Sequence, residues 1–141
     1  LVTGGFDPIH SGHIRYFEAA KKLGDFLIVG INSDEWLVRK KGKPFLPIDE
    51  RVGIIKNLRM VDEVITWNDS DNTANGAITL LLNKYPESKI VFANGGDRTK
   101  ENIPEMNEFL NNNNIEFVFG VGGIKKINSS SWLLRNWIEN K

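Results

Sequence analysis

Residues 1–31 read LVTGGFDPIHSGHIRYFEAAKKLGDFLIVGI, and the succession of periods in this stretch decides the fold. Leu1–Thr3 reads as the end of a strand, closed by Gly4-Gly5. From about Ser11 to Leu23 the apolar positions Ile14, Phe17, Ala20 and Leu23 recur, which predicts a helix with one buried stripe. Gly24 follows and tolerates left-handed torsions where that helix ends. Phe26-Leu27-Ile28-Val29-Gly30-Ile31 is continuous and β-branched, as expected of a strand covered on both faces. Strand, helix and buried strand together make one parallel βαβ unit.

The alternation continues outward. Pro47-Ile48-Asp49-Glu50 opens a helix running to about Leu58, with proline and acids at its start. Glu63–Trp67 reads as a short strand, and Thr73–Tyr85 as a helix that Thr73 caps. Lys89–Ala93 and Ile115–Phe119 are two further strands, separated by a helix from about Pro104 to Asn111. The last segment, Ser129–Glu139, is helical with Leu133, Leu134, Trp137 and Ile138 on its apolar face. Asn111–Asn114 is a helix end and turn. Five strands interleaved with helices predict an α/β fold: a doubly wound, parallel five-stranded sheet with helices on both faces and right-handed crossovers. Residues 1–141 are expected to form one domain.

Composition narrows the function classes. Eighteen Lys+Arg balance eighteen Asp+Glu among 141 residues, so no charge excess favours nucleic acid or an acidic membrane as the main partner. The absence of cysteine excludes disulfides, thiolate nucleophiles and Cys-ligated metal centres. The longest apolar runs, Phe26–Val29 and Ala77–Leu82, are too short to span a bilayer. No signal peptide is visible, so a cytoplasmic setting is expected, and the opening at Leu1 in mid-strand reads as the loss of a few upstream residues.

In open α/β sheets ligands sit outside the carboxyl ends of the strands. The segments there are Gly4–His13, Asn32–Lys43, Asn68–Thr73, Asn94–Arg98 and Gly120–Ser131. In the first, Gly4 and Gly5 let the backbone approach a ligand, and His10 and His13 flank Gly12 where loop turns into helix. A helix N-terminus offers unpaired N–H groups and partial positive charge, which suits phosphate. The expectation is a triphosphate site in which His10 and His13 stabilise charge at one phosphorus. Two surface or core histidines are the bland alternative, but these are the chain's only two and both fall at the best ligand position. A metal centre would need carboxylates to complete the set, with no third His or Cys available.

Gly5-Phe6-Asp7-Pro8-Ile9-His10-Ser11-Gly12-His13 resembles the H-x-G-H segment of the cytidylyltransferase-like nucleotidyltransferase superfamily. Leu23-Gly24-Asp25, Asn32-Ser33-Asp34 and the stretch from Arg51 through Val61-Asp62-Glu63-Val64 look like the same family, so the resemblance covers essentially the whole chain. The glycerol-3-phosphate cytidylyltransferases and the heptose-phosphate adenylyltransferase domain are the branches it is most similar to. The resemblance implies a Rossmann-like fold and transfer of CMP or AMP from CTP or ATP to a phosphorylated small molecule, a polyol or sugar phosphate. Pyrophosphate is released, and Mg²⁺ accompanies the triphosphate. The acceptor oxygen attacks in line, without a covalent intermediate.

By the same resemblance, Gly5, Phe6, Asp7, His10, Gly12 and His13 bind nucleotide, with His10, His13 and Lys40 catalytic. Arg39, Lys40, Lys41 and Lys43 read either as a solvated face or as a phosphate clamp on a mobile loop at Gly42. Lys40 aligns with the acceptor-contacting lysine, and Lys41 and Lys43 bracket the second family position, with Lys43 taken as a nucleotide contact. Arg51 and Arg59, eight residues apart, would lie about 80° and roughly 12 Å apart on one helix; they read either as surface or ion-paired arginines or, since the family places an arginine at each position, as contacts to the acceptor phosphate, Arg59 being the better candidate. Gly96-Asp97 could be a tight turn or could meet the base or ribose. Ser129, Ser130 and Ser131 could cap the last helix or cradle the β- and γ-phosphates. The family arginine that leads this serine motif falls at Gly123, and Lys125 or Lys126 is a candidate replacement. A homodimer is expected, with Trp36, Phe45 or Trp67 as its apolar surface.

Two rivals remain. The departure at the serine motif fits a non-catalytic nucleotide-binding regulatory module. A dinucleotide oxidoreductase is disfavoured, because Gly4-Gly5 lacks the G-x-G-x-x-G spacing and Gly120-x-Gly122 runs into lysines.

Overall fold

The computed structural model describes residues 1–96, 98, 103–123 and 128–139. Its elements are β1 (Val2–Gly4), α1 (Ser11–Lys21), β2 (Ile28–Ile31), α2 (Asp34–Lys41), α3 (Ile48–Ile55), β3 (Glu63–Ile65), α4 (Asn75–Lys84), β4 (Ile90–Gly95), α5 (Glu105–Glu108), β5 (Ile115–Val121) and α6 (Ser130–Glu139). Strand pairing is parallel throughout, with β2 between β1 and β3 and with β4 beside β5. The continuous apolar run of β2 is buried at every position, and its side chains feed opposite faces. Val29 and Ile31 join Phe17 of α1 and Ile55 of α3 in one core cluster. Ile28 joins Ala77, Ile78 and Leu81 of α4 in the other. Helices therefore cover both faces, as the alternation of periods predicts.

The single five-stranded sheet is corrected. The five strands divide into a three-stranded sheet, β1-β2-β3, and a two-stranded sheet, β4-β5. They touch at Leu1, whose N–H group donates to Val91 O at 2.7 Å and whose carbonyl accepts from Ala93 N at 2.9 Å. Beyond that point the Tyr16 hydroxyl of α1 donates to Ala93 O, the acceptor that a continued ladder would need. Tyr16 acts as a wedge. A Cβ on Gly95 would stand 3.0 Å from its ring, and one on Gly122 would stand 3.1 Å from its Cα. Burial pushes the Tyr16 hydroxyl well above its ordinary pKa, so it stays a neutral donor.

Five local expectations change. Asp34–Lys41 is a helix and not a loop: Ser33 Oγ accepts from Trp36 N at 3.0 Å, acids fill the first turn, bases the last, and Gly42 at φ 94° ends it. The helix expected to reach Leu58 stops at Ile55, so Arg59 lies beyond it. The helix expected from Pro104 is one turn, Glu105–Glu108. At the end of α1 the cap is Lys22 in right-handed conformation, so Gly24 is not used for a left-handed torsion. The N-cap of α4 is Ala74 and not the expected Thr73, which sits one residue before it and whose Oγ1 accepts from Asn75 N at 3.1 Å.

The glycines separate accordingly. Gly122 has φ 82° and backbone against its missing Cβ, whereas nothing lies within 4 Å of a Cβ on Gly24. Gly122→Ala is expected to destabilise the fold by about 1–3 kcal/mol, with Gly24→Ala neutral or slightly stabilising. Urea unfolding of the two variants checks this.

Candidate functional site

The site begins with the cap of α1. His10, in extended conformation, is the N-cap residue. Its Nδ1 accepts from Gly12 N at 3.0 Å, and His13 Nδ1 accepts from His10 N at 3.2 Å. The two imidazoles thus perform a capping box usually made by Ser/Thr and Glu. A Cβ on residue 12 would lie 2.8 Å from His10 Cε1, which is why a glycine stands between the histidines. The rings stack with centroids 3.8 Å apart at 27°, and Phe6 meets His13 edge-on at 5.0 Å. Each Nδ1 is an acceptor, so each neutral ring carries its proton on Nε2. Burial, then the neighbouring His10, pulls the His13 pKa down to about 3, and His13 is neutral throughout the physiological range.

Phe6 holds φ 52°, uncommon for a large side chain, and the Asp7–Pro8 peptide is cis. Phe6 is held there by packing against Phe17 at 5.1 Å and against His13. Asp7 turns inward. Its buried carboxylate accepts from Phe45 N at 2.6 Å and Leu46 N at 2.5 Å and pairs with Lys41 at 2.9 Å. Asp7 therefore ties the loop to α2 and the segment after it, through the same groups that a nucleotide contact would need.

Arg51 is also corrected. It is buried, not presented to a substrate: Nε donates to Leu46 O at 2.9 Å, Nη1 to Gly5 O at 3.0 Å and Asn32 O at 2.6 Å, and Nη2 to Asp34 Oδ1 at 2.6 Å. The guanidinium gathers carbonyls from the ends of two strands, and its side chain is fully buried, away from any phosphate in the cleft. Arg59 stands at the amino end of β3, its side chain 90% exposed and 4.0 Å from Glu18. That is the wrong end of the strands for the cleft. Lys43 is exposed and outside the cleft lining. Of the basic run, Arg39 instead bonds Asn72 Oδ1 at 2.9 Å and Asp69 O at 2.8 Å. Asp69 accepts from Asn32, Ser33 N and Ser33 Oγ; burial would raise its pKa, and these bonds hold it below the ordinary value.

What remains around His10 and His13 is a cleft of about 690 Å³, inside the usual range for small-molecule sites. Gly4 and Gly5, Asn32, Gly95 and Gly96, and Val121 and Gly122 line it, so it opens at the carboxyl ends of β1, β2, β4 and β5. Of the sequence candidates it gathers Gly5, Phe6, Asp7, His10, Gly12, His13, Lys40, Gly96, Ser129, Ser130 and Ser131. Ser129 Oγ caps α6 by accepting from Trp132 N at 3.0 Å, and Ser130 Oγ donates to Pro8 O at 2.7 Å, docking α6 on the histidine loop. Asp97, Lys125 and Lys126 lie outside the described residues.

Sequence reasoning missed Tyr16, Trp36, Arg98 and Arg135 in the lining. Arg135 follows Ser131 by four residues, a helical spacing that places both on one face, and that signal was available. The described lining residues include four cations, Lys40, Lys41, Arg98 and Arg135, and one carboxylate, Asp7, which pairs with Lys41. The cleft is thus built for an anion although the chain is neutral overall. Among the described residues no three His, Asp or Glu side chains gather as a metal site.

A family profile described as cytidylyltransferase-like matches residues 1–131. The chain belongs to that family. This cytidylyltransferase-like chain is 39% identical over 105 residues to the bifunctional protein HldE of Hahella chejuensis, covering 73% of this chain and 20% of that protein. It is 49% identical over 71 residues to the FAD synthase of Archaeoglobus profundus, covering 50% of this chain and 45% of that enzyme. The chain thus spans a fifth to under half of the length of these curated relatives. A solved lipopolysaccharide core biosynthesis protein from Thermoplasma volcanium superposes with TM-score 0.65 and 26% identity over 90% of this chain and 95% of that one.

Two outcomes test the site's construction. A His13 pKa near 3 in the fold, against 6.5 when unfolded, means that stability is full above about pH 6.5 and falls as pH drops towards 3. His13→Asn keeps an acceptor near Nδ1, so urea unfolding between pH 4 and 7 should show a shallower pH slope for it than for the parent. Arg51→Met should lose about 3–5 kcal/mol, because it strands three carbonyls and Asp34, and Arg51→Lys should also destabilise, because an ammonium cannot serve the same carbonyls at once, whereas Arg59→Ala should change stability by less than about 1 kcal/mol.

Proposed function

We propose that this chain is a nucleotidyltransferase that moves a nucleoside monophosphate from ATP or CTP to the phosphate of a small molecule. The observation that carries this reading is the pair of imidazoles whose Nδ1 atoms are tied to the α1 cap and which line one cleft together with four cations. Neutral donors of fixed tautomer suit non-bridging oxygens that gain charge in the transition state, since they need not reorganise. His10 and His13 would donate to the oxygens of the α-phosphorus. An oxygen of the acceptor phosphate attacks that phosphorus, a new P–O bond forms, and the bond to the β-phosphate oxygen breaks with its electron pair leaving on pyrophosphate.

The N-termini of α1 and α6, with Arg98 and Arg135, are the stations for the triphosphate, and Gly95-Gly96 that for the base and ribose. Lys40 meets the acceptor phosphate. Mg²⁺ would arrive on the triphosphate oxygens and supply charge neutralisation there, since the described side chains offer no donor set of their own. Of the three aromatics named for a homodimer surface, Trp36 lines the cleft and Trp67 donates to Thr73 O at 3.0 Å beside the second core cluster, which leaves Phe45 as the exposed one.

The test is pyrophosphate release by the chain with ATP or CTP and a panel of sugar, polyol and flavin phosphates. His10→Ala and His13→Ala are each expected to lower kcat by about 10²–10³ with the fold retained by circular dichroism. Nucleotide binding by calorimetry with no pyrophosphate from any acceptor would instead make the chain a binding module.

A further inference from the structure

Trp36 and Lys40 stand one helical turn apart on α2, and both line the cleft. The indole rests on the loop after β1: a Cβ on Gly5 would lie 3.1 Å from its Cζ3 and 3.1 Å from Leu37 Cδ2. Its backbone N–H is taken by the Ser33 cap, and the start of α2 is held by Asp69 through Ser33 and by Arg51 through Asp34. The ring is therefore a fixed aromatic plate. Lys40 Nζ lies 4.6 Å from the ring centroid, at the end of a four-carbon stem that can pivot while the plate stays still. Charge and flat apolar surface come as one unit on the α2 side of the cleft.

Given the nucleotidyl-transfer reading, on which this rests, we propose that Trp36 sets acceptor specificity. It selects phosphate monoesters whose organic part is a ring with a flat C–H-rich or aromatic face, over acyclic polyol phosphates. The acceptor phosphate engages the Lys40 ammonium, and the ring stacks on the indole. An acyclic chain presents no continuous face to a rigid plate and must lose rotamer freedom to make contact. Pyranose phosphates and flavin mononucleotide share the required chemistry. In sequence terms the signal is a tryptophan four residues before the lysine that aligns as the acceptor contact.

The experiment measures pyrophosphate release by the chain with a hexopyranose 1-phosphate, flavin mononucleotide and glycerol 3-phosphate, for the parent, Trp36→Ala and Trp36→Phe. A ring acceptor should exceed glycerol 3-phosphate in kcat/KM by about tenfold or more, the scale of one stacking contact. Trp36→Ala should raise the KM of that acceptor about tenfold with the nucleotide KM unchanged, and Trp36→Phe should restore most of it. The two ring arms show whether sugar or flavin is preferred. Preference for glycerol 3-phosphate, or an acceptor KM that Trp36→Ala leaves unchanged, overturns the proposal. If the parent releases no pyrophosphate with any acceptor, the nucleotidyl-transfer reading fails, and calorimetry of the same ring phosphates decides this one separately. Binding weakened in Trp36→Ala supports it, and absent or equal binding overturns it.

Discussion

The two imidazoles that close the start of α1 are the contact on which the site depends. A helix start leaves backbone donors without partners, and here two of the amides around it are satisfied by Nδ1 of His10 and His13. That one arrangement fixes ring orientation, tautomer and the side on which the Nε2 protons sit. It also explains the glycine between the histidines, since any Cβ there would collide with the His10 ring. The strained Phe6 backbone belongs to the same structure, held by edge-to-face contacts with both a core phenylalanine and a cleft histidine.

Around this centre, buried charges act as ties. Arg51 draws together the chain ends leaving β1 and β2, Asp7 holds the segment after α2, and Asp69 holds the start of α2. A buried charge is tolerated only when its hydrogen-bonding capacity is met, and each of these meets it across long sequence separations. Their effect is to present one face of α2 to the histidines as a rigid surface. Charge is then sorted: the chain is neutral, yet the described lining of the cleft carries an excess of cations where two helix N-termini also converge.

Much of the fold was legible because it is local. The strand of β2, the stripe of α1 and the proline-acid start of α3 announce themselves within contiguous residues. The position of the cleft followed from the rule that ligands sit at strand carboxyl ends, and the histidine loop stands there. α2 was less legible: its apolar face is short, and a run of bases ending in Gly42 resembles a loop when the cap at Ser33 and the dipole-matching charges are overlooked. The break between the sheets was not legible at all, since nothing in the period of β1 or β4 tells that Tyr16 takes the carbonyl at Ala93.

The sequence by itself determined the alternation of strand and helix, the glycine-framed histidine pair and the family to which the chain belongs. Only the tertiary structure decided which charged side chains face the cleft. Arg51, Arg59, Lys43 and Lys40 are alike in sequence as cations near a predicted site. Their destinations differ because a charge goes where its long-range partners are. For Arg51 these are Gly5, Asn32 and Asp34, with Leu46 nearer in the chain, and for Arg59 there is Glu18 at the opposite end of the sheet; Lys40, by contrast, keeps to Trp36 one turn back on its own helix and is carried to the cleft by the placement of α2. Periodicity is a property of neighbouring residues, whereas the neutralisation of a charge is settled only when distant segments meet.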